Sequence, residues 1–469
     1  MALNAGAMVA ARYAVAALGW VGTVLVDLTL SPDEWGQFSL VFTLLGVLSI
    51  LTDLGVGRVA LSGLVDPALD RAAFAGTYVM LRTVLGILGY AFAVGFVVIG
   101  RYPPEMVRAT AVAALVVALA TPSNALDSVF QAHLQMHRIA VGNVAGRLLQ
   151  LALVTALAMA GGTLVWFCVP PIAAEVAILA WKVKAVRRIQ RLRLGVDWTT
   201  WKVLLRDAIP LATGMILWNI YFRVDAIILS KIDTFEAVGI YSVAYKFVDL
   251  AHQVPQSLMI VLLAVMVRVW PKDVSALADT FRRGLMTVAI SSALIGIEFA
   301  VFAHPLIVSL YGDRYGVGAG AGRLVVMAEC IAAFSSLCFT TLIAIGRTGV
   351  FVRAVLAGLI INVALNIWLI PTYSYLGAAW ATAITEVLVL IVLATETLRL
   401  PGLRPLPLQR LAGIAASAAA ASGFAVLTRR ALPWPVAAVT AAAAFLALVH
   451  CTRAAGPQGL RSILREMPR

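Results

Sequence analysis

Apolar residues run along this chain in stretches of about twenty or more, broken by short clusters of polar, proline and glycine residues. The clusters include "SPDE" at 31–34, "RYPPE" at 101–105, "SKIDTFE" at 230–236, "YGDRYG" at 311–316 and "PTYSYLG" at 371–377. A helix of about twenty apolar residues crosses a hydrocarbon core of ~30 Å. Runs of this length satisfy their own backbone groups in lipid only as helices. The pattern therefore predicts about 14 transmembrane helices, over 5–30, 36–60, 73–99, 105–130, 139–160, 162–182, 208–231, 236–266, 280–304, 321–345, 349–370, 376–398, 408–428 and 433–452. The expected fold class is an all-α polytopic membrane protein.

Composition supports this. Of the 469 residues 62% are hydrophobic and only 13% charged, half the roughly 25% of a soluble domain. The first apolar segment contains Arg12 and runs on to Leu30, too long for a signal-peptide core, so no cleavable leader is expected. Cys168, Cys330, Cys338 and Cys451 lie in or beside apolar segments without CxxC spacing, and the five histidines show no ligand spacing. No metal site and no cofactor is expected.

The net charge of +13 is read from its distribution. Segment 182–207, "KVKAVRRIQRLRLGVDWTTWKVLLRD", carries eight basic residues against two acidic ones and is assigned to the cytoplasm. Counting spans outward puts most other Arg and Lys residues, including those of the C-terminal tail, on that side. Both termini are then cytoplasmic, and Arg429–Arg430 is the one clear exception. The positive balance marks orientation and attraction to anionic lipid, not nucleic-acid binding. Trp198 and Trp201 leave two readings open, an interfacial helix or a plain loop.

Residues 33–45, "DEWGQFSLVFTLL", align with 236–248, "EAVGIYSVAYKFV", at a shift of 203: Gly36 on Gly239, Phe38 on Tyr241, Ser39 on Ser242. Each copy opens the second helix of a six-helix set, and the basic segment falls between the sets. Parallel repeats joined in this way are a transporter plan with substrate bound between the halves. The expected domains are an N-terminal lobe at 1–182 (helices 1–6), a basic linker at 183–207, and a C-terminal lobe at 208–398 (helices 7–12). Residues 399–469 form helices 13–14 and a basic tail.

Charges inside the spans are costly, about 2.5–3.5 kcal/mol each on insertion scales, and mark cavities or partners. Asp27, Asp53, Arg58 and Arg82 lie within about two turns of a span end and are expected to snorkel to the interface. Deeper ones need another account. Arg223 is eight residues, about 12 Å, from its helix end. Lys246 and Asp249 are about 15–20 Å into the next helix. Arg223 and Asp225 point about 200° apart and cannot share a face. Asp225 lies at a depth that Lys246 could reach. Two arrangements stand: Arg223 turned to a wet cavity with Asp225, Lys246 and Asp249 in support, or all four closed into a structural network. Arg12, with no acid at i±3 or i±4, suits an anionic ligand or snorkels. Glu298, Glu329 and Glu386 are candidates for ion coupling. No Walker-type sequence and no external DxD loop is present, which argues against direct ATP use and against an enzyme.

"SPDEWGQFSLVFTLLGVLSILTDLGVGR", "IYFRVDAIILSKIDTFEAVGIYSVAYK", "SLYGDRYGVGAGAGRLVVM" and "AIGRTGVFVRAVLAGLIINVALNIWLIPTYSYLGAAWATAITE" resemble the polysaccharide flippases (Wzx-type translocases) of the multidrug/oligosaccharidyl-lipid/polysaccharide exporter superfamily. The resemblance covers roughly residues 1–400. It implies two six-helix lobes around a central cationic cavity, plus two C-terminal helices. It also implies export of a polyprenyl-diphosphate-linked oligosaccharide by alternating access, for cell-surface polysaccharide assembly at a prokaryotic plasma membrane. Carried onto this chain, Arg12 and Arg223 would meet the diphosphate, with Asp225 and Lys246 as their supporting network. Asn362 and Asn366 would bond between helices, and Gly377 would form a tight turn. Pro170–Pro171 departs from the pattern as a hinge or a kink within the sixth span. The implied partners are the lipid-linked glycan, membrane lipids and a polymerase or ligase of the same pathway, with the chain as a monomer. The alternatives are a cation-coupled drug or small-molecule exporter of the same fold, a membrane enzyme of that pathway, or a scaffold recruiting enzymes through 182–207.

Overall fold

The computed structural model describes residues 2–400, 402–403, 407–452 and 454, and the side chains of all these but 2–14, 58, 210–212 and 215. Among them there are helices and turns but no β-strand. In chain order the helices are α1 Ala2–Thr29, α2 Pro32–Asp53, α3 Val56–Val65, α4 Arg71–Ile99, α5 Pro104–Ala113, α6 Leu115–Ala132, α7 Met136–Met159, α8 Leu164–Phe167 and α9 Val169–Val186. Then come α10 Trp198–Ile232, α11 Phe235–Val269, α12 Val274–Tyr311, α13 Ala319–Ala344, α14 Thr348–Thr397, α15 Leu408–Thr428 and α16 Trp434–Cys451. Eleven helices among the described residues are long and apolar enough to cross a membrane, with Val15–Thr29 a shorter apolar one. One of the eleven, the 50-residue α14, is two helices meeting at Ser374, where φ is 54° and ψ −138°. With α1 and α10 this accounts for the expected spans. The chain is a multi-pass membrane protein, and its outer helix faces agree: Ile99 (84%), Trp368 (73%) and Ile360 (63%) are largely exposed and need lipid around them.

The breaks follow local chemistry. Span 36–60 is interrupted because Leu54 and Gly55 both take left-handed conformations, φ 46° and 66°, ending α2 and restarting the chain as α3. Pro170 and Pro171 do not kink a helix interior. They occupy the first turn of α9, where the missing N–H groups had no helical partner anyway, and the break lies at Cys168. "PTYSYLG" is a kink rather than a loop. A Cβ on Gly377 would lie 2.5 Å from the Leu369 carbonyl oxygen.

The chain divides into two compact units, 1–230 with 234–239, and 231–233 with 240–469. In the first, α1 and α9 pack against α7, and α4 against α6. Close approach of α7 and α9 depends on Gly142 and Gly146, whose added Cβ atoms would meet Trp181 and Ile178 within 2.7 and 2.4 Å. The basic segment is anchored here. Arg193 donates its backbone N–H to Ala72 O (3.0 Å) and a guanidinium N–H to Asp70 (3.0 Å). Trp201 is buried, its indole N–H on Thr77 O at 3.0 Å, whereas Trp198 is 72% exposed. One tryptophan is thus core and the other faces outward.

The first unit also contains the head of α11. A Cβ on Gly36 would lie 1.7 Å from the Phe235 carbonyl oxygen, and one on Gly239 would lie 2.8 Å from that of Pro32. The two repeat-equivalent glycines therefore meet backbone to backbone. Tyr102, between α4 and α5, closes the same seam through its hydroxyl and that of Ser230 (2.9 Å), with its ring 6.4 Å from that of Phe235.

In the second unit α12 packs on α13, α15 and α16, and α13 on α14. Pro305 lies inside α12 and cannot donate to the carbonyl of Val301. Arg429 does so instead, at 2.9 Å. One member of the basic pair that breaks the charge bias is thus a backbone partner.

Candidate functional site: charges buried in the spans

In the first unit, Arg82 is 1% exposed. It does not snorkel. Its guanidinium binds Asp53 at 2.7 Å, Thr52 O at 3.0 Å and Thr121 O at 3.3 Å, joining α2, α4 and α6. Helix α4 begins at Arg71, about 17 Å from Arg82 at 1.5 Å per residue, and a buried partner makes exit to the interface unnecessary. Asp27 is likewise fully buried (0%). The Asp53 side chain stays 44% exposed, while the Arg58 side chain lies outside the described residues.

A second pair lies nearby on α6 and α9. Lys182, 2% exposed, holds Asp127 at 2.8 Å and reaches Ser123 O at 3.5 Å. Sequence reasoning placed Lys182 at the start of the basic loop and missed this role. The available signal was Asp127, a carboxylate deep in an apolar span that required a cation. Tyr78, buried, faces Ser128 at 3.4 Å between their hydroxyls. Arg147 and Glu175 interact electrostatically across α7 and α9, and Arg147 donates to Gln150 at 2.6 Å.

The residues expected to bind substrate are placed as follows. Arg12 lies on α1, its side chain outside the described residues. Arg223, on α10, is half-buried with its guanidinium 5.3 Å from the centre of the Phe222 ring. Asp225 is 2% exposed and accepts the Ala226 N–H at 2.8 Å. These two belong to the first unit. Lys246 and Asp249, both half-buried on α11, belong to the second.

The second unit brings together a group that the sequence reading had only in part. His252 on α11 bonds through Nδ1 to Glu329 Oε1 on α13 at 2.7 Å, their side chains 19% and 5% exposed. Asp249, one turn earlier on α11, and Glu386 on α14 also act electrostatically on this imidazole. Of the three proposed coupling carboxylates, Glu329 is the one that bonds to this histidine. Glu298 is half-buried on α12. The sequence gives no signal for this histidine, because its hydrogen-bond partner comes from another helix 77 positions away. Beside Glu329, Cys330 and Ser292 exchange side-chain hydrogen bonds to each other's carbonyls at 3.3 Å, fixing α13 on α12. Asn362 and Asn366, expected to bond between helices, bond to each other within α14: Asn366 Nδ2 donates to Asn362 O and Oδ1, both at 2.9 Å. No group of three or more potential metal ligands occurs among the described residues.

Outside the spans, two aspartates begin helices. Asp273 accepts from the Ser275 hydroxyl at 2.6 Å and the Ala276 N–H at 2.8 Å. Both bonds favour the ionised form, the hydroxyl most, and hold this carboxyl below its usual range. Asp197 is lowered in the same way, first by the Thr200 hydroxyl and then by the Thr199 N–H.

Comparison with known proteins gives the setting. A family model described as polysaccharide biosynthesis protein matches residues 28–318. No curated protein sequence matches the chain. The fold is similar to that of the lipid II flippase MurJ in an inward closed conformation, with TM-score 0.76 and 13% identity, covering 96% of this chain and 99% of that one. It is similar to an inward-facing multidrug-resistance MATE transporter of the MOP superfamily, TM-score 0.68 and 14% identity, covering 81% and 94%. A MOP superfamily transporter from Pyrococcus furiosus, described as having a binding pocket of reversed polarity, aligns with TM-score 0.55 and 13% identity over 86% and 94%.

Proposed function

We propose that this chain, which belongs to the polysaccharide biosynthesis protein family, moves a polyprenyl-diphosphate-linked oligosaccharide across the membrane by alternating access. The fold is that of flippases and transporters, not of enzymes. The observation that carries the substrate assignment is Arg223: a guanidinium on a membrane helix, half-buried and 5.3 Å from the centre of the Phe222 ring, in a family that serves polysaccharide assembly. Guanidinium binds phosphate oxygens in a bidentate way, and a diphosphate is the part of such a substrate that lipid cannot solvate. Arg12 would be the second contact, with Asp225 in support of the first. The prenyl tail would stay in lipid while the sugar passes. The chain would be organised as lobes at 1–182 and 208–398, and both termini would face the cytoplasm of a prokaryotic plasma membrane. A polymerase or ligase of the pathway would dock at the basic 182–207 segment of a monomer.

The test is binding of a synthetic polyprenyl-diphosphate oligosaccharide to purified wild type and to Arg223→Gln. Loss of a charged, bidentate contact is expected to weaken binding at least tenfold, since hydrogen bonds to charged groups contribute about 1.5–3 kcal/mol. Equal binding by both proteins would assign Arg223 to a structural network.

A second reading, a cation-coupled exporter of small molecules, is favoured by one observation, the buried His252–Glu329 bond between two membrane helices. Export of cationic dyes without any binding of the lipid-linked probe would select it.

A further inference from the structure

Helix α14 changes direction at Ser374, and residues from both its ends line one groove of about 290 Å³. Val350, Arg353, Ala354 and Ala357 come from the first half, Val392 and Glu396 from the second. The two halves therefore run side by side in opposite directions. Val350, Ala354 and Ala357 recur at three- and four-residue spacing, which puts them on one helix face. The small alanine side chains leave the depression between the halves, and its volume is at the lower end of ligand-sized cavities.

Distance along the chain fixes the depth of the groove. Arg353 and Glu396 are 21 and 22 residues from Ser374, about 32 Å of helix at 1.5 Å per residue. With the polar turn around Ser374 at one edge of a ~30 Å hydrocarbon core, the two charges stand at the other edge, at headgroup level. Ala357 with Val392, and Ile361 with Leu388, are likewise about equally far from Ser374, and each pair lies deeper than the last. Ile361 follows Ala357 by four residues and Leu388 precedes Val392 by four, so both continue the groove faces. Val392, Ile361 and Leu388 are 44%, 37% and 38% exposed. An apolar path thus leads from a charged mouth toward the middle of the membrane.

The mouth matches a zwitterion. Its own charges, one guanidinium and one carboxylate, sum to zero. Among the described residues they form no direct ion pair: Glu396 pairs through Oε1 with Arg399, which does not line the groove, and its Oε2 takes no part in that bond. Guanidinium binds phosphate oxygens in a bidentate way, and a carboxylate binds an ammonium. A phospholipid with a glycerol head would satisfy Arg353 but set a net negative charge beside Glu396.

We propose that this groove binds an aminophospholipid such as phosphatidylethanolamine, with the phosphate on Arg353, the ammonium on Glu396 and one acyl chain along Ala357, Val392, Ile361 and Leu388. The bound lipid ties the two halves of α14 together at the end farthest from Ser374. The site lies within the second unit and is independent of what the protein carries.

The experiment is native mass spectrometry of the purified full chain with equal amounts of dioleoyl-phosphatidylethanolamine and dioleoyl-phosphatidylglycerol. Wild type should retain the ethanolamine lipid over the glycerol lipid about fivefold, the size of a partly exposed ion pair. Glu396→Gln should retain both alike, and Arg353→Gln should retain the ethanolamine lipid about fivefold less than wild type. Ala357→Leu fills the floor of the groove without changing its charge, at an exposed position where the core is untouched. It should melt like wild type in detergent yet lose the bound lipid. Equal retention of the two lipids by wild type, or a preference for the glycerol lipid, overturns the proposal. So does a preference that survives Glu396→Gln, because the carboxylate then reads no ammonium. Undiminished retention in Ala357→Leu places the lipid elsewhere on the helices and overturns it as well.

Discussion

Gly36 and Gly239, equivalent positions of the internal repeat 203 residues apart, lie backbone against backbone. An added Cβ on Gly36 would meet Gly239 N at 3.1 Å, and one on Gly239 would meet Gly36 N at 3.3 Å. The missing side chain at the fifth residue of each helix thus lets the two helix heads touch. Gly36→Ala would place its methyl 1.7 Å from the Phe235 carbonyl oxygen, an overlap that only backbone movement relieves. The cost expected is about 3 kcal/mol or more, at the upper end of overpacking penalties, seen as a lower melting temperature in detergent. Gly46→Ala, with nothing within 4 Å, should melt like wild type.

Lys182→Met should destabilise the first unit by about 3 kcal/mol, because it leaves the half-buried Asp127 carboxylate without its cation. Replacing both residues, Lys182→Met with Asp127→Leu, should recover most of the loss, since apolar packing often equals a buried ion pair. A double variant as unstable as the single one would show that Asp127 serves more than its lysine.

Arg429 is tied to Pro305 through Val301. Removing the guanidinium in Arg429→Met leaves that carbonyl without its donor, at about 1–3 kcal/mol. Pro305→Ala supplies a backbone N–H in its place, so the loss should shrink sharply in the double variant. A thermodynamic cycle on melting measures the coupling, and strict additivity would remove the link.

The head of α12 should depend on pH. The Asp273 carboxyl is held below its ordinary value of 3.8, first by the Ser275 hydroxyl and then by the Ala276 N–H. Its contribution is therefore present above about pH 4 and is lost as pH falls through the lowered folded value. Hydrogen exchange at Ala276 should accelerate in that acidic range. Asp273→Asn, which keeps an accepting oxygen, should exchange without this pH dependence.

Much of this architecture was legible because lipid imposes a coarse rule: long apolar runs must be helices. The ends were less so. Leu54 interrupts a span by adopting a left-handed conformation that a leucine does not announce, whereas the glycine after it could. Charges were found by type but not by partner. Arg82 was expected at the interface because depth was counted from one helix alone; Asp53, Thr52 and Thr121 come from two others. His252 carried no local signal, since Glu329 and Glu386 are 77 and 134 positions away. Arg429 looked like an orientation anomaly until Val301 appeared beside it. Sequence periodicity reports which residues are inside, while pairing across helices is a property of the packed fold.

The proposed substrate, a lipid-linked, diphosphate-bearing glycan, would cross the membrane through this protein. The most direct measurement places purified wild type in vesicles with a polyprenyl-diphosphate oligosaccharide whose sugar is enzymatically clipped only on the outside. Wild type should expose the inner-leaflet pool to clipping, so that cleavage passes from about half toward completion, and Arg223→Gln should slow this at least tenfold. Cleavage that stops at half in wild type, with the protein folded and inserted, would contradict it.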